Sequence, residues 1–214
     1  MNNTQFHDND FRCVTSYWDN RYSNGGTSGA GSYGRLAKYK ATYINDFVLK
    51  NGINKVVEFG CGDGHQLSLS NYPIYIGLDI SKEAISLCRK LYLYDLRKQF
   101  FLYNQENFTS NDLFTGDLVL SLDVIFHLID DILFEKYMHN LFSCSKKYVI
   151  IYSSNFTEKT TAKHVKHRHF TKWILQNATN FELEKFSKNP YRFEPDKPTE
   201  TSFSDFYIYK IKAS

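Results

Sequence analysis

The sequence predicts an α/β fold in which a doubly wound, mostly parallel sheet ends in an antiparallel pair of strands. From residue 55 onward, short apolar runs alternate with helical patterns, which is typical of right-handed βαβ units. A glycine-rich loop follows the first apolar run. The segments FELEKF (181–186) and DFYIYKI (205–211) lack an intervening helical pattern, so we expect them to pair antiparallel. The 214 residues, 42% hydrophobic and 23% charged, suit one globular domain.

The N-terminal quarter contains aromatic residues, then a Gly/Ser-rich segment, then a predicted helix. The segment 23–34 reads SNGGTSGAGSYG, and residues 35–52 carry apolar side chains at three- and four-residue steps. Gly52 predicts the end of this helix. Because the segment lies between aromatic-rich stretches, we interpret it as a ligand-covering loop; the alternative is a flexible linker.

The predicted strands and helices of the remaining chain follow in order. Strands are expected at 55–59, 75–79, 100–103, 117–122, 148–153, 181–186 and 205–211. Ser81 is expected to cap a helix over 82–92. Further helices are expected after the glycine loop, around Phe134 to Leu141, and around 168–178.

The strongest local signal is the run from Glu58 to Gly64, EFGCGDG, at the end of the first predicted strand. Glycine permits a sharp turn and a close approach of the backbone to a ligand. Asp79 ends the next strand, where an acid is placed to accept both hydroxyls of a ribose. A dinucleotide fingerprint fails because His65 occupies its last position, and no phosphate-binding P-loop is present. An acid at Glu58 favours a cofactor that carries an ammonium group.

The run from Glu58 to Gly64, together with YIGLD (75–79) and DLVLSLDVIFHL (117–128), resembles class I S-adenosylmethionine (SAM)-dependent methyltransferases over about residues 54–153. The resemblance implies a Rossmann-like, seven-stranded sheet, with SAM as cofactor and S-adenosylhomocysteine (SAH) as product. It also implies a role for each matching position. The methionine part would be held by Glu58, Gly60, Cys61, Gly62 and Gly64, the ribose by Asp79, and the adenine by Ile80 and Asn104. Family members often carry Asp at the position of Asn104.

Segments that precede the core often fold over the cofactor in this family. We therefore interpret residues 1–52 as a lid with helices, and residues 53–214 as the methyltransferase core, within a single domain overall. The lid would hinge at the glycines of the Gly/Ser-rich segment. The alternative is a disordered leader, against which the cluster of aromatic residues around Trp18 argues.

Candidate catalytic residues follow the fourth and fifth strands, where this fold opens its acceptor pocket. Asp123 and His127 would share one face of a helical turn; alternatively, Asp123 caps a helix and His127 packs against the sheet. The basic segment around KHVKHRHF (163–170), which we extend to Lys159 and Lys172, is either a solvated turn or an anion-binding edge. For the second case we assign His167 as a base and place Arg168, His164 and Tyr33 against the acceptor. Carboxylate and cysteine ligands are missing from the segment, so no metal site is predicted.

The resulting hypothesis is O-methylation of a small anionic or sugar-linked acceptor, such as a phosphoramidate or a sugar hydroxyl. Residues 26–40 and 164–170 resemble small bacterial methyltransferases of capsule and surface-polysaccharide pathways. The alternatives are an RNA methyltransferase, which a net charge of +3 disfavours, and a SAM-binding protein without activity. We expect a cytoplasmic protein with no membrane span and with its four cysteines reduced. The sequence does not indicate the oligomeric state.

Overall fold

A computed structural model of the chain describes residues 14–158, 160 and 162–213. Cys13 and Lys159, which enter the sequence interpretation, lie outside these residues. The helices are α1 (Val14–Ser23), α2 (Gly34–Lys50), α3 (Lys82–Leu91), α4 (Asp131–Ser143) and α5 (Phe170–Asn177). The strands are β1 (Lys55–Phe59), β2 (Ile74–Asp79), β3 (Lys98–Leu102), β4 (Gly116–Leu122), β5 (Ser145–Ser153), β6 (Phe181–Ser187) and β7 (Asp205–Ile211).

The seven strands form one sheet in the order β3-β2-β1-β4-β5-β7-β6. The pairs from β3 to β5 are parallel, whereas β7 runs antiparallel to both β5 and β6. The predicted fold class is therefore confirmed, including its antiparallel C-terminal pair. The strand order reverses between β1 and β4, and such a reversal opens a crevice at the carboxyl ends of those strands.

Hydrophobic layers cover both faces of the sheet. One layer places α4 and α5 against the sheet through Phe59, Tyr137 and Trp173, and the other packs α2 and α3 through Ile44 and Cys88. The central strands β1, β2 and β4 are buried on both faces, which explains their continuous apolar runs, whereas the edge strands β3 and β6 are more exposed. The high aromatic content of the sequence is thus largely core packing.

Two local predictions are wrong and one is confirmed. No α-helix follows the glycine loop; a short 3₁₀ helix over Gln66–Leu69 leads into β2 instead. Asp123 does not cap a helix and does not share a helical face with His127, because its φ of 59° places it in a tight turn before a 3₁₀ turn over Ile125–His127. Ser81 caps α3 as predicted, since its hydroxyl oxygen accepts a hydrogen bond from the Ala84 amide at 3.2 Å.

Two of the remaining predictions concern cysteines and membrane spans. Cys61, Cys88 and Cys144 are buried free thiols, as expected for reduced cysteines. Within the described part of the chain, every helix is too short or too polar to cross a membrane.

Candidate functional site

A cavity of about 520 Å³ opens at the carboxyl ends of β1, β2 and β4. Its volume falls in the range of small-molecule sites. Ten of the fourteen residues that the sequence analysis selected line it: Glu58, Gly60, Cys61, Gly62, Asp79, Ile80, Asp123, His127, His164 and His167. Residues of α1, α2 and the Gly/Ser-rich segment complete its wall.

The glycine loop turns sharply, with φ of 84° at Gly60 and 57° at Gly62. A side chain at Gly60 would overlap Val124, and one at Gly62 would overlap the Ser28 hydroxyl. The Asp79 carboxylate fixes the turn, since it accepts hydrogen bonds from the amides of Gly62 and Ser81, each at 2.9 Å. Glycine is required at both positions because the turn needs a positive φ, and because Val124 and Ser28 leave no room for a side chain.

Two buried acids flank the loop. The Glu58 carboxylate accepts a hydrogen bond from the Tyr75 hydroxyl at 2.6 Å. Burial raises the pKa of Glu58 to about 7, although Tyr75 and Lys40 oppose that shift. Burial likewise raises the pKa of Asp79 to about 6, against its two amide hydrogen bonds. Both acids thus favour a ligand that brings hydrogen-bond donors or positive charge.

A lysine that the sequence analysis did not select lies in the cavity wall. Lys40 of α2 is 1% exposed, and its ammonium donates to the Asp123 carboxylate at 2.8 Å. The other carboxylate oxygen of Asp123 accepts from the Ser204 hydroxyl at 2.7 Å. Helical spacing puts Lys40 on the same face of α2 as Leu36 and Ile44, a signal of burial that the sequence analysis did not use.

The Gly/Ser-rich segment lies on the glycine loop. The Ser28 amide donates to Asp63 at 2.8 Å, and the Asp63 amide donates back to the Ser28 hydroxyl at 2.8 Å. Tyr33 also donates to Asp63, at 2.9 Å, and its ring stacks on His65. Tyr33 is not among the described lining residues, so its predicted acceptor contact lacks support.

His127 has a defined tautomer. Its Nδ1 lies 3.0 Å from the carbonyl oxygen of His164, and a carbonyl can only accept a hydrogen bond. Nδ1 therefore carries the hydrogen, and Nε2 carries the lone pair. Burial lowers the pKa of His127 to about 4, which keeps the ring neutral near pH 7. Trp18 of α1 packs edge-on against this ring with centroids 5.2 Å apart.

Two more histidines line the same cavity. His164 stacks with His127 at a centroid distance of 5.5 Å and with Tyr17 at 5.2 Å. His167 is 8% exposed, and its Nδ1 lies 2.7 Å from the Ser154 hydroxyl. Burial lowers the pKa of His167 as well. The turn after β4 and the segment before α5 therefore bring the three imidazoles to one cavity.

Three other predicted residues lie away from the described cavity wall. Nη2 of Arg168 donates to the Asp131 carboxylate at 2.9 Å and to the Ile129 carbonyl at 3.1 Å, while its Nε and Nη1 are buried without a partner among the described residues, so its predicted acceptor contact lacks support in this arrangement. Asn104 is exposed, and its side-chain oxygen accepts from the Glu106 amide. Gly64 packs against Cys88 and Tyr92. Gly64 and Asn104 were selected by motif position and Arg168 by its basic segment, and neither kind of evidence determines the direction of a side chain in a turn.

Gln66 and Gln105 line the cavity and were missed by sequence reasoning. The Gln105 side-chain nitrogen and the Gln66 side-chain oxygen are buried without a hydrogen-bond partner in the described chain. Buried polar atoms are nearly always bonded, so these two are open to a ligand. Gln105 lies next to Asn104 in the sequence, but only Gln105 lines the described cavity wall.

The comparisons with known proteins find similarity in solved structures. No protein-family model matches the sequence, and no curated protein does. Magnesium protoporphyrin IX methyltransferase from Synechocystis PCC 6803 with bound SAH is 14% identical, with 93% of this chain and 98% of that chain covered and a TM-score of 0.67. The N-methyltransferase NodS from Bradyrhizobium japonicum WM9 with SAH is 11% identical, with 94% and 99% covered and a TM-score of 0.71.

A third similar structure comes from a larger protein. The small RNA methyltransferase HEN1 is 18% identical, with 86% of this chain but only 26% of that chain covered, at a TM-score of 0.63. At such identities the likeness concerns the fold. It agrees with the seven-stranded topology and with the resemblance in the glycine-loop motif. The chain has the fold of the class I SAM-dependent methyltransferases.

Proposed function

We propose that the protein binds SAM against the glycine loop and methylates a hydroxyl group of a small acceptor, releasing SAH. The observation that carries this proposal is that Asp79, the glycine loop and a neutral histidine with a free lone pair line one cavity. The SAM and SAH bound to similar structures support the choice of cofactor.

The residues of the cavity fit the parts of this cofactor. Asp79 would accept the ribose hydroxyls, and Gln105 offers an unsatisfied donor for an adenine nitrogen. Glu58 and the unsatisfied oxygen of Gln66 would accept from the ammonium group, while Lys40 would attract the carboxylate. We infer that Gln105, rather than Asn104, reads the adenine.

SAM supplies a methyl group on a positively charged sulfur, which transfers to the acceptor oxygen while the sulfur keeps the bonding pair of electrons. The chain itself must position the acceptor and take up its proton. Nε2 of His127 is suited to take the proton, because the His164 carbonyl holds the hydrogen on Nδ1. His167 is the second candidate base, held by Ser154.

The acceptor hypothesis from the sequence is a small anionic or sugar-linked molecule of surface-polysaccharide biosynthesis. A hydroxyl group on such an acceptor suits a histidine base, which can take up its proton. An anionic group on the acceptor gains no support from Arg168 and Lys166, because both cations pair with the Asp131 carboxylate. We therefore propose that any charged part of such an acceptor remains outside the cavity.

An RNA acceptor is the second candidate function, because the structure of HEN1 is similar over most of this chain. Phosphate contacts would make retention on RNA fall steeply with salt. Retention that is absent even at low salt would exclude this candidate.

The proposed function is tested by calorimetry and by methyl transfer. We expect SAM and SAH to bind and NAD not to bind. Turnover of radiolabelled SAM with a panel of hydroxyl acceptors would then separate an enzyme from a SAM-binding protein. Absence of SAM binding, or tighter binding of NAD, would refute the proposal.

A further inference from the structure

The cavity has a second end, away from Glu58 and Asp79, whose wall is mostly aromatic. We call it the acceptor end and define it by six lining residues: Phe126, His127, His164, His167, Phe193 and Phe203. They come from the turn after β4, the segment before α5, and the loop between β6 and β7.

The rings of the acceptor end contact one another. Phe193 and Phe203 stack with centroids 3.8 Å apart, and Phe203 meets His167 edge-on at 5.3 Å. Phe126 lies between His127, at 4.6 Å, and His167, at 6.3 Å. Such a surface offers ring faces and edges, which attract a flat aromatic ligand more than a saturated one.

The six described residues that define the acceptor end include no Lys, Arg, Asp or Glu. The charged residues in the cavity wall are Lys40, Glu58, Asp79 and Asp123, and they belong to the opposite end or to the Lys40–Asp123 pair. The nearby cations Lys166 and Arg168 donate to Asp131 at 2.7 and 2.9 Å. A charged ligand buried here would lose its hydration without gaining a Lys, Arg, Asp or Glu partner from the described residues of this end.

The hydroxyl groups beside the acceptor end already have partners. Ser204 donates to Asp123 at 2.7 Å, and Thr201 donates to the Lys197 carbonyl at 2.6 Å. The Ser202 hydroxyl oxygen accepts from the Ser204 amide at 3.1 Å. A sugar ring carries several hydroxyls; apart from the imidazole nitrogens, it would find few open partners in the described wall and would lose hydrogen bonds to water.

We propose that the part of the acceptor that enters this cavity is an uncharged aromatic ring bearing a hydroxyl group, which lies against Phe193 and Phe203 and directs its hydroxyl to His127. This inference rests on the proposed function for the identity of the reacting group. It narrows the acceptor class from any small hydroxyl compound to a phenol-like ring.

The experiment is calorimetry on the full chain loaded with SAH. Three probes share one carbon skeleton: 2-naphthol, 2-naphthyl phosphate, which adds charge, and decahydro-2-naphthol, which lacks aromaticity. Methyl α-glucoside is the sugar probe. We expect 2-naphthol to bind at least about tenfold more tightly than each other probe. Phe203→Leu should weaken its binding by about 3–10-fold. The matched control Phe186→Leu, on β6 and not among the described lining residues, should leave it unchanged.

Each outcome bears on one of the two proposals. Tighter binding of the phosphate or the glucoside, or equal effects of the two Phe variants, would overturn the aromatic acceptor while SAH binding upheld the proposed function. If SAH itself does not bind, the proposed function fails. In that case 2-naphthol is titrated into the protein alone: binding that Phe203→Leu weakens supports the aromatic end, and absence of binding overturns it.

Discussion

The Lys40 ammonium lies 2.8 Å from the Asp123 carboxylate in the wall of the cavity, and the lysine side chain is almost completely buried. This ion pair joins α2 to the end of β4, and the Ser204 hydroxyl ties the same carboxylate to the start of β7. The φ of 59° at Asp123 is an uncommon backbone conformation for a residue other than glycine. Three separate parts of the chain thus meet at one carboxylate beside the cofactor site.

Replacing Lys40 should destabilise the protein. Lys40→Met leaves the Asp123 carboxylate without its cation, so we expect the free energy of unfolding to fall by about 3 kcal/mol. The double variant Lys40→Met/Asp123→Asn should recover much of this loss. Urea unfolding measures all three proteins, with Lys50→Met, at the exposed end of α2, as the control. Equal stability of Lys40→Met and the control would show that the pair contributes nothing.

Asp79 should contribute to cofactor affinity. Asp79→Ala removes a carboxylate that we expect to accept charge-assisted hydrogen bonds from the ribose, so SAM binding should weaken by about 1.5–3 kcal/mol. Asp46→Ala removes an exposed acid of α2 and should leave the dissociation constant unchanged. Calorimetry measures both. Unchanged affinity in Asp79→Ala would mean that the ribose binds elsewhere.

The glycine loop should tolerate no side chain at position 62. Gly62→Val would place its side chain on the Ser28 hydroxyl and force an unfavourable φ, so we expect SAM binding to be lost while much of the fold remains. Gly62→Ala/Ser28→Gly removes the overlap but not the backbone strain, and should bind SAM more tightly than Gly62→Ala alone. Normal SAM affinity in Gly62→Val, with circular dichroism as the folding check, would contradict a role in binding.

Motif and periodicity predicted the sheet, because buried parallel strands carry continuous apolar runs and a glycine loop follows the first of them. They also predicted that Glu58 and Asp79 lie beside the glycine loop, because the fold determines the positions of residues at or next to strand ends. The missing helix after Gly64 shows the limit of this reasoning: the short stretch before β2 forms only a 3₁₀ turn.

Side chains in turns and on helices could not be placed in the same way. Arg168 and His167 are adjacent in sequence, yet His167 lines the cavity and Arg168 pairs with Asp131. Helical spacing puts Lys40 on the apolar face of α2, with Leu36 and Ile44, but it does not reveal that Asp123 is its partner. Such assignments depend on tertiary contacts that local spacing does not contain.

The affinity for SAM should depend on pH. The pKa values of Glu58, about 7, and Asp79, about 6, mean that both acids are partly protonated below neutral pH. SAM carries positive charge and hydrogen-bond donors, which favour the ionised acids, so its binding should tighten from pH 5.5 to 7.5 and release protons. Calorimetry in buffers of different ionisation enthalpy measures this release. A pH-independent affinity would refute the linkage.

The same two acids should shape the stability of the protein without ligand. Their pKa values in the folded state exceed the ordinary carboxylate values. The folded state therefore binds more protons than the unfolded state between about pH 4.5 and 7. The acids' contribution to the free energy of unfolding should therefore decrease as pH rises through this window. Glu58→Gln should flatten that slope, as urea unfolding at several pH values would show.

The last prediction concerns the base. His127→Phe keeps a ring against Trp18 and His164 but removes Nε2, so kcat should fall by roughly 10²–10⁴-fold while SAH affinity is retained. His139→Asn, at an exposed position of α4, is the control. His167→Phe tests the second candidate in the same assay. Because Arg168 pairs with Asp131, Arg168→Ala should lower stability without raising the acceptor KM.

The steady-state kinetics of these variants separate the possible mechanisms once an acceptor is found. A loss of kcat in His127→Phe but not in His167→Phe would identify His127, which the His164 carbonyl orients, as the base that takes up the acceptor proton. Near-normal rates in both histidine variants would eliminate both as bases. Such rates would favour a transfer that needs no base over proton uptake by Asp123, because Lys40 and Ser204 already bond the two carboxylate oxygens of Asp123. A raised acceptor KM in Arg168→Ala would instead show that Arg168 leaves Asp131 when the acceptor binds.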